Sequence, residues 1–300
     1  MKKIKVKIRN IVSIYRYFGF LIGCYNFLLS IPFIKHIPLW KKINKNYYKL
    51  CKKYLYSHYL LDYCFDDFNE IGKIDENSNI WIFWWQGICN APLLVKKCLS
   101  TIIKFKGKHN IVIIDKTNLL NYIDIPEFFF IKLEKNEISI QHFSDYVRTR
   151  LLYEYGGIWM DATLLLTDNV DEELSKYEFY TIRHGERSDY HICEGKWSTF
   201  FMASCTGNPF FKYLADIQEK YWKNEKYPIC YLIIDCFISL LVDLCPFCSE
   251  QINQVPVNNT KTMQLAKMFT KEYSEVKESV DEIIKETKII KLSNKFKVNM

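Results

Sequence analysis

Between residues 137 and 166 the chain reads E-I-S-I-Q-H-F-S-D-Y-V-R-T-R-L-L-Y-E-Y-G-G-I-W-M-D-A-T-L-L-L. This is the pattern of a helix, a glycine stop and a buried strand carrying one acid. Ser144, Asp145 and Arg148 are three or four residues apart, so they share a helical face. Leu151, Leu152 and Tyr155 continue the helix with apolar contacts. Gly156-Gly157 ends it, because glycine takes the left-handed cap at no steric cost. Ile158 to Leu166 is almost wholly apolar, as in a strand buried on both faces. Asp161 interrupts the run. A carboxylate in such a setting is costly unless it is paired or binds a cation.

The segments before this stretch set its context. Ile80-Trp81-Ile82-Phe83-Trp84-Trp85 predicts a strand by its aromatic and β-branched content. Gln86-Gly87 turns the chain, and Ala91-Pro92 opens a helix through about Ile103. Asn110 to Asp115 predicts a second buried strand. Strand, helix and strand at this spacing form a β-α-β unit, hence a parallel sheet with a right-handed crossover. Short helices are expected around 118–122 and 126–133. The fold class read from this order is α/β, with a mainly parallel central sheet and the site at the carboxyl ends of its strands. Farther on, 178–183 and 197–204 read as strands. Asn208-Pro209 opens a helix to about Trp222. Residues 229–244 are apolar with Asp235 inside, and a short strand is expected at Ile289 to Leu292.

The chain has 300 residues, room for one catalytic domain plus an appendage. A hydrophobic share of 49% excludes a disordered chain. The net charge of +7 suits anionic lipids, nucleotides or acidic glycans. No basic arm or nucleic-acid module accompanies it, so nucleic acid is not expected as a partner. Eleven cysteines, scattered through apolar runs, read as reduced, buried thiols and not as a disulfide framework.

Residues 1–78 read as an N-terminal helical segment and 79–300 as the catalytic domain. Tyr17 to Ile34 carries no charge and is flanked by lysines. Three readings stay open for it: contact with lipid headgroups, which is preferred, a spanning helix, or a helix packed on the domain. Residues 46–69 are expected to form one helix. The location expected is cytoplasmic, peripheral at the inner face of the cell membrane.

The motif S-D-x-x-R, followed by L-L-x-x-x-G-G-I-W-x-D-A-T, resembles the sugar-nucleotide signature of glycosyltransferase family 32. Its bacterial capsular polysaccharide synthesis branch is the nearest resemblance. The similarity runs from about Asn79 to about Lys295 and is densest over 81–98 and 138–164. It implies a Rossmann-like glycosyltransferase fold of the A type. It also implies a nucleotide-sugar donor, a glycan or lipid-linked glycan acceptor, and a divalent metal, Mn2+ or Mg2+.

The resemblance gives Asp161 as the first residue of a D-x-D metal motif, with Thr163 at its second acidic position and Ser293 offering a further oxygen. It gives Asp145 to the sugar hydroxyls and Arg148 to the sugar or diphosphate. That division is chemically sound: a carboxylate accepts from hydroxyls and a guanidinium matches phosphate oxygens. Trp85 aligns with an aromatic that stacks on the base, with Trp84 as the alternative. Ser144 orients the site, and Asp115 reaches the ribose. The function expected is retaining, metal-assisted transfer of a sugar to a growing surface glycan. Two rivals stay open: a non-catalytic nucleotide-sugar-binding protein and a sugar-phosphate transferase.

Overall fold

The computed structural model describes residues 11–66, 71–169, 172–185, 191–268 and 273–293. A five-stranded sheet runs in the order β2-β1-β3-β6-β5, with β1 Asn79–Phe83, β2 Asn110–Ile114, β3 Gly157–Met160, β5 Phe179–Thr181 and β6 Phe201–Ser204. β1 pairs in parallel with both β2 and β3, and only β6 runs against its neighbours. The sheet is therefore mainly parallel, as the β-α-β reading requires.

Alternation sorts the strand residues onto two faces. Trp81, Phe83, Trp159 and Met202 point into the larger core, and Ile80, Ile82, Ile158 and Met160 into the smaller. Helix α4 (Leu93–Lys104) covers the smaller face through Val95, Leu99 and Ile102. The larger face carries α6 (Ile140–Glu154), α7 (Pro209–Asn224) and α8 (Ile233–Leu244). α6 starts where Ser139 accepts a hydrogen bond from the His142 backbone N–H at 3.2 Å. It is buried on nearly all sides, including Tyr146, Val147, Leu151 and Leu152.

Gly156 and Gly157 have φ of +63° and +86°, which carry the chain from α6 straight into β3. A Cβ at Gly157 would lie 2.4 Å from the Asn79 carbonyl oxygen, and one at Gly156 2.7 Å from that of Ser204. Only glycine lets β3 fit this closely between β1 and β6.

Two expectations need correction. Residues 158–166 are not one strand. β3 stops at Met160, a turn closes with the Leu164 N–H donating to the Asp161 carbonyl at 2.9 Å, and β4 (Leu164–Leu166) departs. β4 pairs in a separate ribbon with β7 (Ile289–Lys291). Residues 46–69 are not one helix either. α3 (Trp40–Leu55) passes into a wide single turn over Tyr56–Leu60, and residues 67–70 lie outside the description.

The N-terminal layer comprises α1 (residues 11–18), α2 (Phe20–Ser30) and α3. Gly19, at φ +91°, and Ile31-Pro32 break the uncharged run into short pieces. Among the described residues no helix is long and apolar enough to cross a membrane. Ile14, Phe18, Ile22, Tyr47, Cys51 and Leu55 are buried in the same cluster as α6, α7 and α8. The layer thus shares the core of the sheet domain. All cysteines of the described residues are free thiols.

Candidate active site

The three parallel strands β1, β2 and β3 end at one edge of the sheet, and the expected site residues follow those ends. Trp84 and Trp85 follow β1, Asp115 follows β2, and Asp161 follows β3. α6 packs across the larger face and delivers Asp145 and Arg148 to the same edge.

Arg148 is the centre of the arrangement. It is 4% exposed, so its charge needs partners. Its Nη1 donates to Asp145 Oδ1 at 3.0 Å, and its Nη2 to Asp161 Oδ1 at 3.4 Å. The guanidinium also lies over the Trp159 ring, 4.9 Å from its centroid. The Arg148 Nε is buried with no hydrogen-bond partner among the described residues. Trp159 Nε1 donates to Asp161 Oδ1 at 3.0 Å. On the far side of Asp161, Lys291 Nζ donates to Oδ2 at 2.7 Å and to Thr163 Oγ1 at 2.7 Å.

Burial raises the Asp161 carboxyl, but Lys291 and Arg148 more than offset this and hold it below the usual range. Asp145 goes the other way. Burial lifts it to about 7, against the pull of Arg148 and with the help of Asp235 and Asp161. One guanidinium beside several carboxylates does not hold them all ionised equally well.

Sequence reasoning assigned Asp235 no role. It sits in the first turn of α8, buried, and accepts from Trp197 Nε1 at 2.8 Å. Burial raises it to about 6, with Trp197 and Arg148 opposing. Tyr231 lies at the rim, 65% exposed, its hydroxyl raised by burial and by the charges of Asp145, Asp161 and Asp235. The sole signal for Asp235 was an acid inside an apolar run, and Tyr231 had none.

The remaining expected residues divide by face. Trp85 packs on Phe83 and edge-on against Phe143, the side that carries Arg148 and Asp161. Trp84 packs with the smaller core, and its indole N–H is buried without a partner among the described residues. Asp115 Oδ1 accepts from the Thr117 N–H at 2.7 Å and from its hydroxyl at 2.6 Å, which lowers its carboxyl. A Cβ on Gly87 would approach Asp115 Oδ2 to 3.5 Å, so the Gln86-Gly87 turn and Asp115 adjoin. Ser144 is half-buried one turn before Arg148. Ser293 lies two residues beyond Lys291, and it is Lys291 that this strand brings onto Asp161. Asn294 lies outside the described residues.

The oxygens that a D-x-D motif gives to a metal are thus bound by an ammonium. One carboxylate and one hydroxyl are a sparse set for a hard cation that wants about six oxygens. Among the described residues no group of three or more His, Cys, Asp or Glu could hold a metal ion. The described protein groups alone do not form a complete site for a resident divalent metal.

Curated relatives match parts of the chain. It is 28% identical over 166 residues to the O-glycosyltransferase braB of Annulohypoxylon truncatum, covering 50% of this chain and 38% of that protein. It is 27% identical over 105 residues to the glycosyltransferase afumC of Aspergillus fumigatus, covering 32% and 27%. It is 30% identical over 107 residues to the probable glycosyltransferase FCK3 of Fusarium pseudograminearum, covering 33% and 27%. The chain therefore spans well under half the length of these relatives. Among solved structures, the PaToxG glycosyltransferase aligns with a TM-score of 0.41 at 16% identity, over 82% of this chain and 94% of its own, too slight a likeness to argue from. The description "capsular polysaccharide synthesis protein" matches residues 33–300, nearly the whole of the chain, and the chain belongs to that family.

Proposed function

We propose that this chain is a glycosyltransferase that moves a sugar from a nucleotide-sugar donor onto a surface glycan, with retention at the anomeric carbon. The observation that carries the reading is the Asp145–Arg148–Asp161–Lys291 network at the carboxyl edge of a parallel sheet. Arg148 and Lys291 are two cations where a diphosphate would lie. Asp145 and Asp235 are carboxylates able to accept from sugar hydroxyls. Trp85 lies on the same face to stack on the base.

In the reaction, the bond from the anomeric carbon to the diphosphate oxygen breaks, and its electron pair stays on that oxygen. The acceptor hydroxyl oxygen bonds to the carbon on the same face and gives its proton to the departing phosphate. The placement in glycosyltransferase family 32 and the front-face course follow the signature resemblance. The residues of this chain bind, orient and compensate charge.

The acceptor's place at a membrane is supported by the N-terminal layer. Phe20, Leu21, Phe27, Phe33 and Leu39 are exposed beside the exposed Lys35, Lys41 and Lys42. Such a surface suits anionic lipid headgroups at the inner face of the cell membrane, where a lipid-linked glycan would be extended.

A thermal-shift screen of nucleotide sugars tests the reading. A ligand at about 100 times its Kd stabilises the protein by about 2.7 kcal/mol. At least one nucleotide sugar should raise the melting temperature of the wild type and do so far less in Arg148→Ala. No shift with any of them contradicts the proposal.

A further inference from the structure

We propose that Lys291 supplies the positive charge that the departing diphosphate needs, at the place where the signature leads one to expect a divalent metal. The inference rests on the glycosyl-transfer reading and goes beyond it by assigning the leaving-group cation.

Two oxygens define the position. Lys291 Nζ lies 2.7 Å from Asp161 Oδ2 and 2.7 Å from Thr163 Oγ1, the two side chains of the D-A-T motif. An ammonium has three protons, so one is left for a further acceptor. The contact is not the reach of a loose surface side chain. Lys291 pairs with Leu164 in the β4–β7 ribbon, its N–H donates to the Thr262 carbonyl at 2.8 Å, and the Leu292 N–H donates to the Thr163 carbonyl at 3.0 Å. The backbone that carries the lysine is thus bonded to the motif itself. The Lys291 side chain is 20% exposed and Asp161 28%, so the pair is partly shielded while an edge stays open to ligand.

Charge counting agrees. Lys291 and Arg148 flank Asp161 from opposite sides. With Asp161 ionised between them, the trio carries a net charge of about +1, which offsets part of the two negative charges of a sugar diphosphate ester. Before a donor binds, a dication placed between them would meet two cations and the single Asp161 carboxylate. When the glycosidic bond breaks, the phosphate oxygen gains charge, and Lys291 meets it with a charge-assisted N–H···O bond while keeping its proton.

Titration calorimetry on the full chain, with UDP and GDP as probes, tests the assignment without requiring turnover. One set of titrations contains excess EDTA, the other Mn2+. The wild type should bind at least one probe in EDTA with an affinity within about threefold of that in Mn2+. Lys291→Met, which keeps the length of the stem, should lose about 100-fold or more in EDTA, the scale of removing one partner of a buried charge pair. Lys291→Arg should lose far less. Binding by the wild type only when Mn2+ is present overturns the inference, as does unchanged binding in a folded Lys291→Met protein. If Lys291→Met fails to fold, the wild-type comparison of EDTA with Mn2+ decides. No binding of either probe under both conditions counts against the glycosyl-transfer reading itself, and the inference falls with it.

Discussion

The carboxyl edge of the sheet and the N-terminal helical layer break the same burial rule in opposite directions. At the edge, charges are inside: Arg148 is buried, and Asp145, Asp161 and Asp235 surround it. In the layer, large apolar groups are outside: Phe33 is 79% exposed and Phe20 72%. Folding alone would select neither, because buried charge is costly and broad exposed apolar surface invites association. The remainder of the described core obeys the rule, with tryptophans such as Trp81, Trp159 and Trp222 almost wholly buried. On the proposed reading, the edge takes a charged ligand and the layer meets an apolar, anionic surface. The layer has a second side, and there Tyr47, Cys51 and Leu55 are ordinary core.

The largest expected effect lies at the edge. Asp161→Asn leaves Lys291 and Arg148 without their shared anion, and activity should fall by about 1,000-fold or more. Initial rates beside a circular dichroism spectrum check this, and near-wild-type turnover would remove Asp161 from the site. Next in size is the inner side of the layer. Leu55→Ala should destabilise the whole chain by about 2–5 kcal/mol, because Leu55 is fully buried in the shared core. A denaturant midpoint that does not move would make the layer a separate appendage after all. For the same reason, a protein cut near Asn77 would expose this core, so a soluble truncated enzyme is not expected.

Asp145 and Arg148 divide the edge more finely. Each alanine variant should lose about 100-fold in catalytic efficiency, roughly 2.7 kcal/mol. They should differ in kind: Arg148→Ala weakens binding of the free nucleoside diphosphate, whereas Asp145→Ala chiefly loses discrimination among sugars. Small, equal losses would leave a purely structural ion pair, whose breakage shows in stability, by about 3–5 kcal/mol, and not in catalysis. The smallest effect belongs to the outer side of the layer. Phe20→Ser with Phe33→Ser should reduce sedimentation with anionic vesicles several-fold, at about 0.8 kcal/mol per CH2 withdrawn from lipid, with no loss of stability. Salt should weaken the wild-type contact as well. Equal sedimentation by variant and wild type would make the exposed phenylalanines irrelevant to membranes.

Much of the edge was legible because its residues are close in sequence. Asp145, Arg148 and Asp161 fall within one helix-glycine-strand pattern, and its periodicity puts two of them on one face. The β-α-β unit was equally plain, since Ile80–Phe83 and Asn110–Ile114 are near-continuous apolar runs. What was hidden depends on distant contacts. Asp235 and Tyr231 come from another helix region with no motif of their own. Lys291 was visible only inside the short strand expected at Ile289 to Leu292, and it is the pairing of β7 with β4 that sets its ammonium on Asp161. The break after Met160 was unreadable, because Asp161-Ala162-Thr163 contains no glycine or proline to mark a turn. The layer was only partly legible for a similar reason: an uncharged run predicts burial, but it does not say whether protein or lipid does the burying.

The most direct test of the account is the identity of the product released from a nucleotide sugar. The wild-type protein, incubated with each of a panel of nucleotide sugars and resolved by anion-exchange chromatography, should release a nucleoside diphosphate, and Asp161→Asn should not. Release of a nucleoside monophosphate would instead mean sugar-phosphate transfer. Tight binding without any product would mean a protein that only holds its ligand, and either result would contradict glycosyl transfer at this site.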